Sequence, residues 1–287
     1  MNEAIVVGAG PNGLAGAVEL ARHGVRVTVL EAADTIGGGT RTSELTPGLL
    51  HDHCSATHPL AVESPALRGL DIEWCWPELS LAHPLDDGTA AVMHRSIEAT
   101  AAGLGRDGRA WKRLFGAEFI DELMQPLLHI PRRPIALARF GLPALAPATV
   151  LARAFSDEAT RALFGGTAAH AFAPLTKVLS ASIGLALITA NHNFGWPVAR
   201  GGSRAITDAL AAELERLGGR VETGHRVTTL PDADIVLLDL APAGAARLGV
   251  PMRPWRHGPG AFKLVLAVEG GVPWTAEPCH RAGNLHL

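Results

Sequence analysis

Six residues near the start of the chain, Gly8-Ala9-Gly10-Pro11-Asn12-Gly13, constrain its fold more than any other stretch. They follow an apolar run, Ala4-Ile5-Val6-Val7, that predicts a buried strand. They precede Leu14, Ala17, Val18 and Ala21, which are spaced as one face of a helix. A G-x-G-x-x-G run between strand and helix is the arrangement that holds a dinucleotide. Gly8 is expected to make the tight turn, Gly10 to admit a pyrophosphate, and Gly13 to let helix and strand pack closely. Pro11 and Asn12 lie between them, where the helix N-terminus presents unpaired N–H groups and positive dipole. A second strand, Val25 to Leu30, ends at Glu31, followed by Ala32. A carboxylate there accepts both hydroxyls of an adenosine ribose and repels a 2′-phosphate, which disfavours NADP.

The next residues separate one dinucleotide from another. Gly37-Gly38-Gly39-Thr40-Arg41-Thr42 begins six positions after Glu31. An NAD domain usually runs from its acidic residue into a further helix. A second glycine group here resembles the two-glycine-motif flavoproteins, which include amine oxidases, phytoene desaturases and carotenoid isomerases. The resemblance implies FAD, with Gly38, Gly39, Arg41 and Thr42 beside the pyrophosphate. Glycines admit close approach of the backbone, and Arg41 can supply charge-assisted hydrogen bonds. In that group the arginine directly follows the second glycine. Here Gly39 takes that place and Arg41 comes two residues later.

The chain has 287 residues, 47% of them hydrophobic, and a net charge of −3, enough for a sizeable core in one or two domains. That charge gives no electrostatic case for nucleic acid. No basic and apolar leader opens the sequence, and nothing approaches a membrane-spanning length. Val178 to Ala190 is too short and reads as a buried helix. Cys54, Cys75 and Cys279 form no C-x-x-C pair, so a dithiol relay is not expected and a reducing cytoplasm is the default setting.

Further along, Asp86-Asp87-Gly88-Thr89 between apolar runs predicts a hairpin. Ser96 to Asn191 reads as mostly helical, with Trp111, Leu114, Phe115, Phe119 and Leu123 at helical spacing. Pro126, Pro131, Pro134, Pro143 and Pro147 break the region into short pieces. After Gly195-Trp196-Pro197, the run Gly201-Gly202-Ser203 opens a helix carrying Ile206, Leu210, Leu214 and Leu217. Arg220 to Val227 and Asp234 to Asp239 then read as strands. The expected fold is α/β: a discontinuous Rossmann-like FAD-binding domain, residues 1–70 and 195–245. A helical and sheet substrate domain, residues 71–194 and 246–287, is inserted into it.

Leu50-His51-Asp52-His53-Cys54-Ser55-Ala56, Gly195-Trp196-Pro197 and Gly201-Gly202-Ser203 are similar to segments of the bacterial carotenoid-desaturase-like oxidoreductases. The sequence also resembles the subgroup of pyridine nucleotide-disulfide oxidoreductase domain-containing protein 2-like proteins. The resemblance implies that the Val227 backbone contacts the adenine. It also implies a chain nearly twice as long, with a last flavin segment that cups the isoalloxazine ring. This sequence stops at Gly283-Asn284-Leu285-His286-Leu287, inside an expected strand, and reads as an inactive fragment without that segment.

Other candidates have plainer readings. His51 and His53 alternate on one strand face beside Cys54, but His58 does not complete a zinc set, so no metal is expected. They can line a polar wall or simply pack. His170 and His192 can reach a substrate or serve as structural histidines. Lys263, in the alternating run Phe262-Lys263-Leu264-Val265, matches a flavin-side lysine of related amine oxidases only by type. Ile130 to Phe172 can form a tunnel for a lipophilic substrate or a plain core. The functional expectation is an FAD-dependent oxidoreductase moving a hydride from an apolar small molecule to flavin N5. The alternatives are an NAD-dependent dehydrogenase, an FAD amine oxidase and a non-catalytic remnant. No catalytic residue and no oligomeric state is legible.

Overall fold

A computed structural model describes residues 2–116, 120–123, 125 and 130–287. The chain divides into two compact units, Met1–Cys75 with Val198–Val265, and Trp76–Pro197 with Leu266–Leu287.

In the first unit β1 (Glu3–Val7) runs into the glycine turn, and α1 (Pro11–Arg22) starts on a proline at its first position. β2 (Arg26–Leu30) follows, with every residue but Arg26 buried. β3 (Thr42–Thr46) and β4 (Leu49–Asp52) form an antiparallel hairpin, and β5 (Trp74–Cys75) ends this stretch.

The second unit opens on the hairpin of β6 (Leu81–Pro84) and β7 (Ala90–Met93). Its turn carries Gly88 and an Asp87 carboxylate that accepts the Thr89 N–H at 2.9 Å. The helices α2 (Ile97–Gly103), α3 (Gly108–Phe115), α4 (Ile120–Leu123) and α5 (Pro134–Ala144) follow. α6 (Ala148–Leu151), α7 (Glu158–Ala168) and α8 (Ser180–Phe194) complete the helical part. The helical spacing from Trp111 to Leu123 does not run through as one helix, because α3 ends where Gly116 turns extended. Phe119 and Pro126 lie outside the described residues. The core is aromatic: Trp111 and Phe115, one turn apart on α3, meet at 4.3 Å with their planes tilted by 53°, and Phe155 and Phe164 close over them. Such ring pairs add about 0.5–1.5 kcal/mol each beyond their burial. Phe155, Leu163 and Phe164, three apolar residues of the expected tunnel stretch, are spent on this core.

The chain then returns to the first unit through β8 (Val198–Ala199), α9 (Arg204–Arg216), β9 (Arg220–Glu222), β10 (Ile235–Leu238) and α10 (Pro242–Arg247). The central sheet is parallel, in the order β10-β1-β2-β9. α1 and α9 pack on it through Leu14, Ala17, Val18, Ile206, Leu210 and Leu214, all essentially buried. Each such leucine, isoleucine or valine is worth about 1.5–3 kcal/mol of transfer free energy. The fold is therefore the expected Rossmann-like α/β arrangement with additional helical and sheet elements.

Three strand expectations are corrected. β9 stops at Glu222, not Val227, because Gly224 takes a left-handed φ of +67° and breaks the ladder. Beyond it the Gly224 and His225 N–H groups still donate to the Ala33 and Glu31 carbonyls, each at 2.8 Å, so an irregular arm follows the end of β2. Phe262 to Val268 is not a strand: no ladder partner lies beside it among the described residues, and Phe262 is 93% exposed. Gly283 to Leu287 is not a strand either: it makes one isolated bridge, Ala82 with Leu285, beside that of Leu79 with the preceding Ala282. Among the described residues no helix is long and apolar enough to cross a membrane.

Candidate nucleotide site

The carboxyl ends of the parallel strands open into a cleft of about 870 Å³ in the first unit. Ligands of open α/β sheets sit in such a crevice. Gly8, Gly10, Pro11, Asn12, Glu31, Ala32, Gly38, Gly39, Arg41 and Val227 all line it. Gly13 and Thr42 do not.

Sequence explains how the glycines meet. The Gly37 N–H donates to the Ala9 carbonyl at 2.9 Å, bringing the second glycine group onto the first. Gly38 has a left-handed φ of +51°, and a Cβ on it would lie 3.0 Å from Gly10 Cα. A Cβ on Gly13 would strike the Gly8 carbonyl oxygen. No other residue type permits both approaches without displacement. The helix N-terminus at Gly10 has no side-chain cap. Its Gly13 N–H donates instead to Asp239 Oδ2 at 2.9 Å.

Glu31, directly after β2, has an ordered carboxylate. Oε2 accepts the Ala9 N–H at 2.8 Å, and Oε1 accepts the Ala33 N–H at 2.9 Å. Arg41 Nη2 lies 3.2 Å from Oε1 and donates to the Thr35 carbonyl at 2.7 Å. Arg41 therefore reaches the cleft while tied to the Glu31 carboxylate. Thr42 points elsewhere. Its hydroxyl donates to Asp52 Oδ1 at 2.5 Å and accepts the Arg204 N–H at 3.0 Å.

Asp52 also accepts the Ser203 N–H, at 2.8 Å. The Ser203 hydroxyl donates to the Ser55 carbonyl at 2.6 Å, so it accepts from His58 Nε2 at 2.8 Å. Burial pushes the His58 imidazole below its usual pKa, against the opposing pull of Asp52. This network joins the Leu50–Ala56 stretch to Gly201–Ser203 and fixes the start of α9. His58 and Ser203 are thus a buried structural pair, not a nucleophile and base.

The remaining candidates fall apart from the cleft lining. His51 and His53 stack at 5.3 Å, and His53 meets the Ser43 hydroxyl. Among the described residues no group of three His, Cys, Asp or Glu side chains can hold a metal ion. Lys263 donates to the Asp52 and Cys54 carbonyls. In the second unit His170 donates through Nδ1 to the Thr167 carbonyl at 3.1 Å. His192 accepts the Trp111 indole N–H at 2.9 Å, so its Nδ1 donates to the Arg95 carbonyl at 3.1 Å.

Sequence reasoning missed Asp239, which lines the cleft and holds Gly13. The signal was present: it directly follows β10, the fourth parallel strand, as Glu31 directly follows β2, the second. The irregular arm at His225 and Arg226, and Arg247 on α10, also line the cleft and carry no motif.

The pattern of the NAD(P)-binding Rossmann-like domain matches residues 6–70. Hydroxyneurosporene desaturase of Cereibacter sphaeroides is 30% identical over 255 residues, 79% of this chain and 50% of that protein. The chain is a member of the FAD-binding Rossmann-like oxidoreductase superfamily. It spans about half the length of that desaturase. Two solved structures share the superfamily fold. An oxidoreductase from Methanosarcina mazei aligns with a TM-score of 0.57 at 18% identity, covering 86% of this chain and 60% of that one. A fatty acid isomerase from P. acnes, described as producing CLA, aligns at 0.55 and 17% identity, with the same coverages.

Proposed function

We propose that the chain binds FAD in this cleft and serves an oxidoreductase that removes hydride from a lipophilic substrate, in the manner of a desaturase or isomerase. The observation that carries the reading is the contact of Gly38 with Gly10, which makes one cradle of two glycine groups. A nicotinamide site needs only the first group. Bound FAD would supply a hydride acceptor at N5.

The chain's own residues do the holding. Gly8, Gly10 and Gly38 keep side chains out of the path of a pyrophosphate. The N-terminus of α1 presents its dipole there. Glu31, fixed by two backbone N–H groups, offers acceptor oxygens to ribose hydroxyls. Arg41 can exchange the Glu31 carboxylate for a phosphate oxygen, as both are anionic acceptors. Val227 lines the cleft, and its backbone would meet an adenine bound there. Support for a lipophilic substrate comes from the desaturase relative.

The test is anaerobic reduction. Protein loaded with FAD is mixed with long-chain polyenes and unsaturated fatty acids, or with short polar amines, and flavin absorbance is followed. Bleaching by the apolar set is expected. Bleaching by the amines alone would move the protein to the amine oxidases, and failure to take up any flavin would sink the reading.

A further inference from the structure

The helical unit buries its large aromatics yet leaves aliphatic side chains outside. On α5, Leu137, Phe140, Gly141 and Ala144 turn inward to varying degrees. Ile135, Ala138, Arg139, Leu142 and the C-cap Leu145 face solvent at the complementary helical spacing. Ile135 is 76% exposed and Leu142 71%. An ordinary surface helix shows charged and polar residues on that face. The strip continues past the helix. The Leu179 N–H donates to the Leu145 carbonyl at 3.1 Å, setting exposed Val178 and Leu179 beside the end of α5. Ile183 follows one turn along α8, also exposed. The Thr149 N–H donates to the Leu175 carbonyl at 3.2 Å and brings in exposed Val150 of α6. Leu179 is held at a left-handed φ of +69°, a costly conformation for leucine that its exposed side chain does not offset by burial.

The sequence runs that carry the strip hold charge of one sign, although the Glu122 carboxylate accepts the Arg133 N–H at 2.9 Å at the start of α5. Between Glu122 and Asp157 the sequence has no carboxylate but carries Arg132, Arg133, Arg139 and Arg153. None occurs from Ala159 to Thr207 either, a run that includes Lys177. Arg139, Arg153 and Lys177 pair with no carboxylate among the described residues. We infer that this face docks on an anionic lipid surface, with α5 lying in the headgroup plane. Ile135, Leu142, Leu145 and Val178 enter the acyl boundary, and Arg139, Arg153 and Lys177 meet headgroup phosphates. A second copy is the poorer occupant, because it would set the same cations against each other. The inference is independent of the nucleotide held by the first unit.

Co-sedimentation tests it. The whole chain is mixed with vesicles of phosphatidylcholine alone or of phosphatidylcholine with phosphatidylglycerol, at low and high salt. Binding to the phosphatidylglycerol vesicles, weakened by salt, is expected. A Leu142→Glu/Val178→Glu variant should lose roughly tenfold or more in partitioning. Leu142→Ala/Val178→Ala, which keeps the helix, should lose less with an unchanged melting temperature. Three results would overturn the inference: no binding to either vesicle, equal binding by wild type and both variants, or a lipid-free dimer that Leu142→Glu dissolves.

Discussion

Gly38 and Gly10 touch: a Cβ on Gly38 would stand 3.0 Å from the Cα of Gly10, with Gly38 already at a left-handed φ. Replacing Gly38 with alanine should therefore part the two glycine groups. Overpacking of this kind costs about 1–3 kcal/mol. FAD affinity should fall by roughly tenfold or more, read by flavin fluorescence, with a lower melting temperature. Gly103→Ala is the control, since its Cβ would meet nothing within 4 Å. Equal losses in the two variants would show that the contact has no bearing on binding.

Glu31→Ala removes the acceptor of the Ala9 and Ala33 N–H groups and of Arg41. A hydrogen bond to a charged group contributes about 1.5–3 kcal/mol, and FAD binding should weaken by that much. Calorimetric titration measures it. Unchanged affinity would mean that the ribose is held elsewhere.

Asp239 sets a carboxylate 2.9 Å from the Gly13 nitrogen, at the helix end where a pyrophosphate would approach. Asp239→Asn keeps a side-chain acceptor and removes the charge. FAD should then bind more tightly, by about 0.3–1 kcal/mol, the usual size of a charge effect at a helix terminus. Weaker binding in this variant would assign the carboxylate a supporting role instead.

His192 gives the second unit a pH dependence. Burial, opposed by the bond to the Arg95 carbonyl, lowers its pKa to about 4 from 6.5. Protonating Nε2 would set it against the Trp111 N–H. Between those values the unfolded chain binds the proton and the folded chain does not, so stability falls as pH drops from about 6.5 towards 4. A series of melts across that range should show the slope, and His192→Gln should reduce it, while His286, also lowered to about 4 chiefly by burial, keeps the remainder. An identical slope in the variant would place the dependence in other groups.

Much of the nucleotide-binding unit was legible because its signals are local. The strand, turn, helix and Glu31 follow one another within 31 residues, each fixed by its neighbours. The hairpin at Asp87–Gly88 and the face of α9 were legible for the same reason. What escaped depends on tertiary placement. Asp239 becomes part of the cleft only when β10 pairs with β1, across more than 200 residues. Arg41 carries a phosphate motif but finds Glu31 first. The early end of β9 turns on Gly224, which nothing in the apolar pattern marks. The alternation from Phe262 to Val268 looked like a strand, yet alternation makes a strand only where a neighbour pairs with it.

The most direct measurement is the identity of the retained nucleotide. The purified chain is incubated separately with FAD, NAD and NADP, passed through gel filtration, denatured, and its bound nucleotide identified by chromatography. FAD should be retained, and lost on Glu31→Ala. Retention of NAD with exclusion of FAD would contradict the flavin reading of the two glycine groups.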